Sequence, residues 1–120
     1  MRIFIVAALM LSATGASAIA DEIDDAHRLA ITGRDSYWNC LAQEYSQDTN
    51  KNMSGSDFTS HIADICPSER QNFRVSLVDY LSRQFPNVDA GDHMTTANKA
   101  IATAQKDVVT AFIKHKHASK

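Results

Sequence analysis

DEIDDAHRLAITGRDSYWNCL, residues 21–41, is the stretch that decides the fold. Ile23, Ala26, Ala30, Gly33, Tyr37 and Leu41 recur in it at steps of three and four, which is the period of one helix face. Asp21, Glu22, Asp24 and Asp25 crowd its beginning, where free N–H groups and the helix dipole favour negative charge. The pattern predicts a first helix from about residue 21 to about Gln47, carrying Tyr37, Trp38, Cys40, Leu41 and Tyr45. Gly33 is its weak point, because a mid-helix glycine costs about 1 kcal/mol relative to alanine unless a close contact requires it.

Toward the amino terminus, Met1-Arg2 precedes an apolar run from Ile3 to Leu11 and then small residues ending in Ala16-Ser17-Ala18 and Ala18-Ile19-Ala20. A basic start, a short apolar run and an Ala-x-Ala box are the parts of a secretory signal peptide. The run is about half the length of a membrane-spanning helix. The expectation is cleavage after Ala18 or Ala20 and a single domain over residues 21–120 with no integral membrane segment. Such a domain would be periplasmic or secreted, and the box has the character of a Gram-negative bacterial leader.

Toward the carboxyl terminus, residues 48–56 are polar and turn-rich and predict a loop. Ser54 or Ser56 can cap a short second helix containing Phe58, Ile62 and Ile65. Pro67 suits the first turn of a third helix, which carries Phe73, Val75, Leu77, Val78, Leu81 and Phe85. Apolar residues lie on much of its circumference, so it is expected to be the most buried element. Phe85-Pro86 and Gly91 end it. A last helix is predicted from about Thr95, with Ala97, Ile101, Ala104, Val108, Ala111 and Phe112 on one face and Lys114, His115, Lys116 and His117 at its basic end. The sum is an all-α protein, a small four-helix bundle with one short member.

Cys40 and Cys66 are an even pair in a chain expected in an oxidising compartment, and they predict one structural disulfide. They do not form a Cys-x-x-Cys redox motif, and none of the five histidines stands at a zinc-ligand spacing from them. His115 and His117 could jointly hold copper or nickel only from a frayed tail. Asp48, Asn50 and Asn52 resemble the start of a calcium loop, but the glycine and glutamate such a loop needs are replaced by Met53 and Thr59. Neither a metal nor a cofactor is expected. No serine occupies a Gly-x-Ser-x-Gly turn and there is no glycine-rich phosphate loop, so no catalytic residue is nominated and the chain reads as non-enzymatic. A small hydrolase or metal carrier would require His61 to converge with Asp57 or Asp64 around a cavity.

Charge is divided along the chain. Residues 21–98 carry thirteen acids against six bases, and residues 99–120 carry five lysines against Asp107 alone. A dominant basic face is missing, which argues against a nucleic-acid partner. The candidate partner-binding residues are Tyr37, Trp38, Tyr45, Asp48, Asn50 and Asn52, an aromatic patch running into a polar loop.

Trp38-Asn39-Cys40, with Phe73 seven residues after Cys66, resembles the Trp-x-Cys and Cys-x6-Phe ends of the periplasmic acid-stress chaperones of the Hde type. Those are small helical single-disulfide proteins whose cysteines stand further apart, and the resemblance implies acid-triggered client binding. Cys40-Leu41-Ala42-Gln43-Glu44-Tyr45, with Asp48 three beyond, is similar to the Cys-x4-Tyr-x2-Asp segment of periplasmic immunity proteins that neutralise type VI amidase effectors. That family's late second cysteine has no counterpart here, and the resemblance implies a protein partner in the cell envelope. The leading expectation is therefore a protein-binding or inhibitor module, with an acid-stress chaperone as the alternative.

Overall fold

The structure is a computed structural model described over residues 14–118, with side chains described from residue 18. The basic start and apolar run of the expected signal peptide lie outside the described residues. Four helices follow in order: α1 (Thr14–Tyr45), α2 (Gly55–Asp64), α3 (Pro67–Gln84) and α4 (Ala90–Ala118). A single 3-10 turn, Asp48–Asn50, interrupts the loop between α1 and α2. The chain is an all-α four-helix bundle with one short member and one disulfide. Among the described residues, no helix is long and apolar enough to cross a membrane.

The stripe on α1 buries as its spacing requires. Ala26, Ala30, Gly33, Tyr37 and Leu41 are all inside, and Ile23 is half-buried. Gly33 has the close contact that justifies it: a Cβ there would stand 2.8 Å from Ser76 Oγ and 3.1 Å from the Phe73 Cα. Glycine thus lets α1 and α3 approach each other at this level. The described part of the helix already runs from Thr14, ahead of the expected start near residue 21. The four carboxylates accordingly lie within α1 and not on its first turn.

Burial is distributed differently from the expectation for α3 and α4. Phe73 is the one buried residue of α3, while Val75 is 57% exposed and Phe85 49% exposed. Apolar residues scattered around a helix cannot all face its neighbours, and α3 packs chiefly toward α1 and α4. Instead α4 packs against each of the other three helices. It buries His93, Ala97, Ile101, Ala104, Val108 and Phe112. It also begins at Ala90, a turn earlier than predicted, so His93 extends the buried stripe by one step. The His93 Nε2–H donates to the carbonyl of Phe85 over 3.1 Å, satisfying a backbone acceptor at the end of α3.

The core centres on Phe58 of α2 stacked on Phe112 of α4, with ring centroids 3.8 Å apart. Tyr37, Leu41, Ile62, Phe73, Ile101 and Val108 continue the same buried cluster along the bundle. Ser54 caps α2 by accepting from the Asp57 N–H at 3.1 Å. Cys66 caps α3 in the left-handed conformation, at φ 55° and ψ 47°, and is bonded to Cys40. The disulfide ties the last quarter of α1 to the amino end of α3.

Candidate functional site

One end of the bundle gathers the polar loop of residues 46–54, the end of α1 and the last turns of α4. The loop is held from three sides. Asn50 is buried, and its Nδ2 donates both to the Glu44 carbonyl and to the Glu44 carboxylate, each at 2.9 Å. From α2, His61 Nε2 lies 3.1 Å from the same carboxylate oxygen. From α4, the Lys116 ammonium donates to the Met53 carbonyl over 2.7 Å. Backbone N–H groups of Asn50 and Met53 close turns onto Gln47 and Asn50, both at 3.0 Å. A loop anchored this way loses less freedom when a ligand binds than a loose one would.

Beside the anchored loop lies a groove of about 320 Å³, lined by Tyr45, Ser46, Asp48, Lys51, Asn52, Phe112, His115 and Lys116. Its floor is aromatic, formed by half-buried Tyr45 and buried Phe112. His115 packs against the Tyr45 ring at a centroid distance of 5.6 Å in an edge geometry. The rim combines the Lys51 and Lys116 ammonium groups with one carboxylate, Asp48, and the amide of Asn52. The Ser46 hydroxyl donates to the Gln43 carbonyl at 3.2 Å. The groove thus offers an apolar floor ringed by both signs of charge and by hydrogen-bonding groups, which suits reversible recognition of an amphipathic segment.

The six candidate partner-binding residues divide. Tyr45, Asp48 and Asn52 meet in this groove, and Trp38 is exposed at 38% on α1 but does not line it. Tyr37 and Asn50 require correction, because both are interior. Tyr37 is fully buried, and its hydroxyl accepts from Gln105 Nε2 at 2.9 Å. Asn50 binds Glu44, as described, so neither side chain is presented to a partner. The sequence reading also missed Lys51, His115 and Lys116 as groove residues. The basic end of the last helix was legible, but only the fold places it beside a loop sixty residues earlier.

His61 meets Glu44, not Asp57 or Asp64, so the convergence required for a small hydrolase does not form. Helix α4 remains regular through Ala118, which sends His115 and His117 in different directions around its axis. Cys40, Cys66 and Glu69 form the one close grouping of metal-ligating side chains among the described residues, and both sulfurs are joined to each other. Comparison with protein-family models, curated proteins and solved structures finds no match for this chain.

Proposed function

We propose that this chain is an exported, non-enzymatic protein-binding module of the inhibitor or immunity kind, acting in the bacterial cell envelope. The observation that carries the reading is the loop–tail groove: three residues nominated from sequence, Tyr45, Asp48 and Asn52, line it together with the basic end of α4. The disulfide and the Asn50–Glu44–His61 contacts support it by keeping that surface preorganised. Export rests on the amino-terminal leader pattern and the oxidised cysteine pair.

The test is capture from envelope extract with the oxidised protein lacking its leader, read by mass spectrometry at neutral pH and after acid exposure. A single stoichiometric partner at neutral pH, lost on combining Tyr45→Ala with Asp48→Ala, is the expected result. Many unrelated clients, captured only after acid, would replace this reading with that of a stress chaperone. Capture of nothing under either condition would overturn both.

A further inference from the structure

Resting on the binding role proposed above, we infer that the groove takes an acidic peptide segment of the partner, seated through one apolar side chain. Size comes first. About 320 Å³ is at the lower limit for a small-molecule pocket and fits one or two side chains. The floor is Tyr45 and Phe112, so the anchoring side chain is aliphatic or aromatic.

Charge then selects what flanks that anchor. The rim holds two ammonium groups, Lys51 and Lys116, against one carboxylate, Asp48. Lys116 already donates to the Met53 carbonyl, which fixes its position, whereas Lys51 is exposed. A carboxylate of the incoming segment therefore meets Lys51 first. Asp48, on the same loop, is placed to accept a backbone N–H from the segment and to repel a second carboxylate on its own side. The local excess of positive charge stands against the acidic balance of residues 21–98, so a basic segment would be drawn to other faces of the molecule instead.

The probes are two synthetic nonapeptides with capped ends and a central leucine, one flanked by aspartate and glutamate, the other by lysine. They are titrated into the oxidised, isotope-labelled protein lacking its leader and followed by amide chemical shifts. The acidic peptide is expected to shift residues 45–52 and 112–116, with affinity falling about tenfold in Lys51→Glu and falling again as salt is raised. Asp48→Asn should preserve or improve binding of the acidic peptide, a response that mere loop damage would not produce. Preference for the lysine peptide, shifts on another face, or indifference to Lys51→Glu would each overturn the inference. Partner capture that survives Lys51→Glu would sink the acidic-segment inference while leaving the binding role standing, and loss of all capture by wild type would remove both.

Discussion

At position 33 glycine carries a hydrogen where alanine would press a methyl group against α3. In an isolated helix, Gly33→Ala should stabilise by about 1 kcal/mol. Here the added methyl meets Ser76 Oγ at 2.8 Å and the Phe73 backbone at 3.1 Å, and only the hydroxyl can be removed by mutation. Overpacking of this kind costs about 1–3 kcal/mol. Gly33→Ala should therefore lower the urea midpoint of the oxidised protein, and adding Ser76→Ala should restore part of the loss but not all of it. A midpoint unchanged or raised in the single variant would show that α1 and α3 are not in close contact at this level. The same scale explains why Tyr37 and Asn50 were misread. An aromatic or an amide in an amphipathic stretch looks the same from sequence whether its polar atom reaches water, Gln105 or Glu44.

Among the helices, α3 and α4 exchange the roles that composition assigns them. The residues of α3 are individually apolar enough to fill a core, yet Val75 and Phe85 face outward, and Phe73 alone is fully enclosed. Phe73→Ala should cost about 3–5 kcal/mol by denaturant titration. Val75→Gln should change stability by less than about 0.5 kcal/mol, and a loss of several kcal/mol there would mean that the exposed side of α3 is covered in solution. The stripes of α1 and α4 were legible because small and large residues alternate on a clean 3.6 period, from Ala26 to Leu41 and from Ala97 to Phe112. Periodicity carries no information about which helices become neighbours. For that reason the burial of α3 was overestimated, His93 was overlooked one step before Ala97, and the contribution of α4 to the groove was invisible.

For the whole molecule, the disulfide is the largest single constraint on the unfolded chain. The sequence separation of 26 from Cys40 to Cys66 corresponds to about 3–4 kcal/mol of chain entropy, a substantial share of the stability of a domain this size. Cys66 also occupies the left-handed region, where a side chain costs about 1–2 kcal/mol relative to glycine. Cys40→Ala with Cys66→Ala should lose most of the crosslink contribution, and Cys40→Ala with Cys66→Gly should be the more stable of the two by about 1 kcal/mol. Equal stability of the two variants would indicate that residue 66 leaves the left-handed region once the bond is absent.

That α4 touches every other helix bears on the order in which the molecule can be made. Both cysteines are synthesised before residue 90, so the crosslink can close while the chain is still incomplete. At that moment Tyr37, Leu41, Phe58, Ile62 and Phe73 have no partner for the sides that Ile101, Ala104, Val108 and Phe112 will cover. A chain cut before α4 would keep the disulfide and the α1–α3 approach at Gly33, with the apolar faces that α4 covers turned outward. Completion of the core is therefore a matter of α4.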